Sequence, residues 1–225
     1  MDKIYFDNAS TTFPKPETVP QAVYQYMTTM GSNINRGGYE QAYQVEEMVY
    51  ETRQLLCDFF HGTDCKNVVF TKNVTESLNI LLKGFLKPGD HIMVSAMEHN
   101  AVMRPLVQLS KAGIGFSRIP CEPDGSLCLQ RAEALLQDNT KAVVMTHASN
   151  VCGALLPIQE VGQFCKCHGL HFIVGSAQTA GVCPIDMQEM QIDALAFTGH
   201  KGLLGPQGIG GFLLREDMVL QVEPL

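Results

Sequence analysis

With 225 residues, the chain is long enough for one large domain with a buried core. Its 45% apolar and 17% charged residues are globular values and exclude a disordered or low-complexity protein. A formal net charge of −7 without basic clusters argues against nucleic acid as the main partner, and no apolar run is long enough to span a bilayer.

In chain order, the opening Met1-Asp-Lys-Ile-Tyr-Phe-Asp-Asn8 lacks the apolar core of a signal peptide. Eight cysteines without such a signal read as reduced thiols, so the expected compartment is the cytoplasm. Residues 17–30 and 40–60 mix charged and apolar positions at helical spacing. Val68-Val-Phe-Thr71 reads as a short strand feeding a helix from Val74 to Phe85. The turn Lys87-Pro-Gly-Asp90 leads into strand His91-Ile-Met-Val-Ser95. A helix over 99–112, a strand over 115–120, a helix over 128–137 and a strand over 141–147 follow. The remainder reads as a helix over 158–168, strands over 171–175 and 194–198, and a last strand Ile209-Gly-Gly-Phe-Leu-Leu214. Strands alternating with helices predict an α/β protein, its mostly parallel mixed sheet covered by helices on both faces. Ligands in such folds bind beyond the carboxyl ends of the strands.

The informative polar residues fall at those ends. Ala194-Leu-Ala-Phe-Thr-Gly-His-Lys201 brings an amine and an imidazole to the end of an apolar run, and Gly175-Ser-Ala-Gln178 ends the run before it. An amine becomes an imine-forming nucleophile when burial or cationic neighbours lower its pKa from the ordinary ~10.4, although most lysines after a strand are simply solvated. Asn73 and Glu76 have capping-box spacing at a strand-to-helix junction, where free amides can also hold a phosphate. His99, in Glu98-His99-Asn100, can stack on a planar ligand or move a proton, or merely cap a helix. Gly205-Pro-Gln-Gly208-Ile-Gly210-Gly211 lacks dinucleotide-loop spacing and precedes a strand, which argues against a nucleotide site. Cys165-Lys-Cys167-His168-Gly-Leu-His171 crosses a helix end without a second ligand pair, so no metal is expected.

Taken in order, Tyr5-Phe-Asp-Asn-Ala-Ser-Thr-Thr12, Asn35-Arg-Gly-Gly38, Phe70-Thr-Lys-Asn-Val-Thr-Glu-Ser-Leu-Asn79, Met97-Glu-His-Asn100, His147-Ala-Ser-Asn150, Ala177-Gln-Thr-Ala-Gly181 and Phe197-Thr-Gly-His-Lys201 carry a resemblance. The chain resembles the class V aminotransferase-fold enzymes, in their cysteine desulfurase and selenocysteine lyase branch. The resemblance implies the fold type I architecture, with residues 1–15 as an N-terminal segment and 16–225 as the large domain binding pyridoxal 5′-phosphate (PLP). Lys201 would carry PLP as a Schiff base, and His99 would stack on its ring and assist proton transfer. Thr75 with neighbouring amides, Glu76, Thr198 and His200 would form the phosphate side. Asn150 would sit near the substrate carboxylate, and Gln178 would hydrogen-bond the ring oxygen. The segment Asn8 to Thr12 would face the same region. The implied substrate is L-cysteine or a related amino acid, and the implied partners are a second copy of the chain and a sulfur-acceptor protein.

Two departures stand out. The family places an aspartate three residues before the glutamine, and this chain has Gly175 there. The chain also ends at Leu225, before the small C-terminal domain of the family, so a fragment or truncated relative with weak or no turnover is expected. The competing expectations are a non-catalytic or weakly PLP-binding remnant, and a class V aminotransferase or selenocysteine lyase.

Overall fold

A computed structural model describes residues 4–35 and 37–224; Arg36 of the Asn35-to-Gly38 motif lies outside the described residues. Helices α1 (Thr18–Gln25) and α2 (Glu40–Phe59) come first, then β1 (Val68–Thr71), α3 (Val74–Phe85), β2 (His91–Ser95), α4 (Asn100–Ser110) and β3 (Gly115–Ile119). There follow β4 (Thr140–Thr146), α5 (Ile158–His168), β5 (His171–Gly175), β6 (Ala194–Thr198), β7 (Gly210–Leu214) and the short α6 (Glu216–Val219).

The seven strands form one sheet in the order β1-β7-β6-β5-β4-β2-β3. Strands β2 to β6 pair in parallel, and β7 runs antiparallel to both β6 and β1. Two antiparallel steps bring β1 back to the direction of β6, so both end on the same edge. From β2 the chain steps outward to β3 and then back across to β4. The carboxyl ends of β2 and β4 therefore flank a crevice of the kind in which α/β sheets bind ligands.

Successive strand residues point to opposite faces, and the two cores follow from that. Met93, Val143, Phe172, Leu195 and Leu213 pack with Phe60, Val161 and Cys165 on one side. Their neighbours Ile92, Val144, Ile173, Ala196 and Phe212 pack with Leu81, Phe85 and Leu106 on the other. Both faces being covered explains the continuous apolar runs that stood out in the sequence. At the edge remote from the crevice, the Phe172 N–H donates to buried Asp193 (2.7 Å), which also pairs with Arg215 (2.5 Å).

Two expectations need correction. The helix over 17–30 is α-helical only to Gln25 and continues as a π-helical turn, Tyr26–Met30, ended by Gly31 in the left-handed conformation (φ 48°). Over 128–137 there is no α-helix, only two 3₁₀ turns, Leu129–Arg131 and Glu133–Leu135. Of the residues in those turns and between them only Ala132 is buried, and Leu129 and Leu135 pack against the core while still partly exposed, so little burial is available to offset helix nucleation. Cys165 is buried and Cys167 exposed, so the two thiols suggested by that cluster face different surroundings. No cluster of three His, Cys, Asp or Glu suited to a metal occurs among the described residues. No helix among them is long and apolar enough to cross a membrane.

Candidate active site

A cavity of about 280 Å³ lies at the carboxyl ends of the strands, lined by Ser10, Asn73, Val74, Thr75, His99, Thr146, Ala148, Asn150, Ala177, Gln178, Thr198, His200 and Lys201. The anticipated residues Thr75, His99, Asn150, Gln178, Thr198, His200 and Lys201 thus come together from five separate stretches of chain. Glu76 does not line it: its carboxylate accepts the Lys72 N–H (2.7 Å), while Asn73 accepts the Glu76 N–H (2.9 Å). The capping-box spacing therefore makes a cap, and Glu76 reaches back to the residue before the capping asparagine.

That cap aims the first turn of α3 at the cavity. Its leading N–H groups have no intrahelical carbonyls to bind, and the helix end carries partial positive charge. Close approach of β7 to this turn requires Gly210, since a Cβ there would stand 2.7 Å from Asn73 Cα and 2.8 Å from the Phe197 carbonyl oxygen. Thr198, 1% exposed, ends β6 at the cavity, and its hydroxyl has no partner among the described residues. An orphaned buried hydroxyl beside an amide-rich helix start and an imidazole is the donor set a phosphate needs.

Lys201 follows directly. It is half-buried, and desolvation holds its amine below the usual lysine range. His99 caps α4, its Nδ1 accepting the Ala101 N–H (3.0 Å), and the same residue lines the cavity. The accepting Nδ1 leaves Nε2 as the protonated nitrogen of the neutral ring. Burial, Lys201 and Arg104 depress the His99 pKa, in that order. Burial, Lys201 and Lys15 do the same for His200.

The N-terminal segment contributes Ser10 to the cavity wall. Gln178 donates to the Ala9 carbonyl (3.1 Å), Thr12 Oγ1 to the Lys201 carbonyl (2.8 Å), and Lys15 Nζ to the His200 carbonyl (2.5 Å). Thr11 was anticipated only as part of the Asn8-to-Thr12 segment, and Lys15 and Thr146 not at all. Of those last two, Thr146 carried a signal, as a hydroxyl residue near the end of a predicted strand.

Behind the cavity, Glu98 bridges strand ends, one carboxyl oxygen accepting from Ser95 Oγ (2.5 Å) and the Thr146 N–H (2.8 Å). Its other oxygen is buried without a partner among the described residues, and burial pushes the Glu98 pKa up to about 7 against the opposing hydrogen bonds. Gly175 pairs in register with Thr146 and is buried, yet a Cβ there would meet only Leu78 Cδ1 at 3.6 Å and the Met145 carbonyl at 4.0 Å. No carboxylate lines the cavity among the described residues.

Known proteins agree with this architecture. The chain is 34% identical over 226 aligned positions to the cysteine desulfurase IscS of Shewanella sp. strain ANA-3, covering 98% of this chain and 55% of that protein. The apo cysteine desulfurase of Thermococcus onnurineus NA1 superposes with a TM-score of 0.92 at 33% identity, over 98% of this chain and 56% of the other. A structure described as SspA in complex with cysteine gives 0.91 at 25% identity, over 99% and 64%. The chain thus spans little more than half the length of the curated relatives it matches. The family model for class-V aminotransferases matches residues 4–225, and the chain belongs to that family.

Proposed function

We propose that the cavity binds PLP, with Lys201 as the amine that attaches it, and that the chain contributes the cofactor domain of a cysteine desulfurase-like enzyme acting on L-cysteine or a related amino acid. The observation that carries this reading is the convergence of Lys201, His99 and the unpartnered Thr198 hydroxyl with the start of α3 in one cavity. Bound there, PLP supplies an electron sink for bond cleavage at an amino-acid substrate.

The protein's own residues do the rest. Desolvation enlarges the neutral, nucleophilic fraction of Lys201. The helix start with Thr75, Thr198 and His200 holds the phosphate dianion, and the ring of His99 offers a face and a proton-bearing nitrogen. Gln178 keeps one amide N–H beyond the one given to Ala9, and Asn150 lines the same wall as a carboxylate-binding amide. The strap of residues 9–12 covers part of the cavity and limits water access.

A second reading has one specific observation behind it. With glycine at 175 and no carboxylate in the cavity wall among the described residues, none of these offers an acid to keep a bound pyridine ring protonated. A weakly PLP-binding, non-catalytic protein is the form this reading takes. Aminotransferase and selenocysteine lyase activities fit the same cavity. A second copy of the chain and a sulfur acceptor are the partners we assign, and the cytoplasm the compartment. The test is incubation of PLP-loaded protein with L-cysteine, measuring alanine and sulfane sulfur. Equimolar release supports desulfuration; keto-acid formation supports transamination; PLP binding with neither product supports the second reading.

A further inference from the structure

The His200 carbonyl oxygen has three donors around it, although a carbonyl has only two lone pairs. They are Lys15 Nζ at 2.5 Å, the Thr12 N–H at 3.1 Å and Thr11 Oγ1 at 3.0 Å. The first is cationic and makes the strongest bond. The second is a backbone amide with a fixed direction. The Thr11 hydroxyl alone can rotate to another acceptor, and one stands equally close: His200 Nδ1 lies 3.0 Å from the same oxygen.

The geometry points to Lys15 and Thr11 as positioning residues that set the tautomer of His200. With Lys15 and Thr12 saturating the carbonyl, the Thr11 proton goes to Nδ1, and the ring proton sits on Nε2. Nδ1 faces the strap and His200 lines the cavity, so Nε2 is the nitrogen left for a ligand, and it arrives as a donor. The opposite tautomer would present a lone pair to an anion. Because burial and two lysines disfavour the imidazolium, the neutral tautomer matters more here than the charge. The ring keeps one proton throughout: the tautomers interconvert by loss of a proton to solvent from one ring nitrogen and gain of one at the other, while the Thr11 hydroxyl turns between the carbonyl and Nδ1.

The value of this tautomer for phosphate binding rests on the PLP reading above; the tautomer itself does not. The test labels the full chain with ¹⁵N-histidine and assigns the two His200 ring nitrogens by their loss in His200→Asn. Wild type at pH 8 is expected to carry the proton on Nε2, and Thr11→Ser to keep it there. In Lys15→Met the freed carbonyl captures the Thr11 proton, so the ring proton shifts towards Nδ1. Thr11→Val removes the donor to Nδ1, and a mixture of tautomers appears. PLP affinity should fall on the order of tenfold in Lys15→Met, where the tautomer shifts towards Nδ1, by about twofold in Thr11→Val, where the two tautomers mix, and persist in Thr11→Ser. A wild-type proton on Nδ1, or tautomers that ignore both Lys15→Met and Thr11→Val, would overturn the inference. The expected tautomers in a chain that takes up no PLP would uphold it and overturn the cofactor reading instead.

Discussion

Glu98→Gln is expected to stabilise the protein in a pH-dependent way. The carboxyl pKa is raised from an ordinary value of 4.5 to about 7, chiefly by burial, while one oxygen accepts two hydrogen bonds and the other has no partner among the described residues. Because the folded-state pKa lies above the unfolded one, the folded chain holds a proton that the unfolded chain has released between those values. Stability therefore falls as pH rises through that window. Integrating across it gives a cost of about 1 kcal/mol at pH 5, growing to about 3 kcal/mol at pH 8. A glutamine amide oxygen can accept both hydrogen bonds without ionising. Its NH₂ inherits the unpartnered position, which subtracts about 1 kcal/mol or more at every pH. Urea denaturation of wild type and variant at pH 5, 6, 7 and 8 isolates the titration, since other groups cancel in the difference. The stability difference should move in favour of the variant by about 2 kcal/mol from pH 5 to pH 8. A difference constant across that range would refute the raised pKa, and one moving the other way would refute its sign.

Three further outcomes follow from named contacts. Asn73→Ala removes the side-chain acceptor of the Glu76 N–H and should lower stability by about 1 kcal/mol in the same denaturation assay. Gly210→Ala forces a methyl against Asn73 Cα and the Phe197 carbonyl, so a loss of about 1–3 kcal/mol is expected, together with weaker PLP uptake, read by denaturation and dialysis. Gly175→Asp meets no atom closer than 3.6 Å at its Cβ, so the methylene is accommodated, and the denaturation assay reads what burying the carboxylate costs. If a carboxylate there restores about 3 kcal/mol of transition-state stabilisation, turnover of L-cysteine by PLP-loaded protein rises more than about a hundredfold; unchanged turnover would remove Gly175 as the limiting feature.

Local rules made most of the sheet legible. Val68-Val-Phe-Thr71 and Asn73-Val-Thr-Glu76 announce a strand, a cap and a helix within nine residues, and the structure has all three. Lys201, His200, Thr198 and Gln178 were readable because they end apolar runs that must be strands buried on both faces. Residues 128–137 misled because Leu129, Leu135 and Leu136 have a helix-like spacing, but this stretch is held by 3₁₀ hydrogen bonds such as Ala132 N–H to the Leu129 carbonyl. Glu76 misled for a different reason: a carboxylate at a helix start serves its own cap before it serves a ligand. The grip of Thr11, Thr12 and Lys15 on His200 and Lys201 joins residues 185 to 189 positions apart, and no periodicity reports such a contact. The resemblance brought the Asn8-to-Thr12 segment to this region, but the hydrogen-bonding atoms emerge only in three dimensions.

Borohydride reduction of the PLP-loaded chain, followed by peptide mapping, tests the central claim most directly. The account predicts a pyridoxyl group on Lys201 in the wild type and its loss in Lys201→Ala. Labelling confined to other lysines, or equal labelling with and without Lys201, would contradict it.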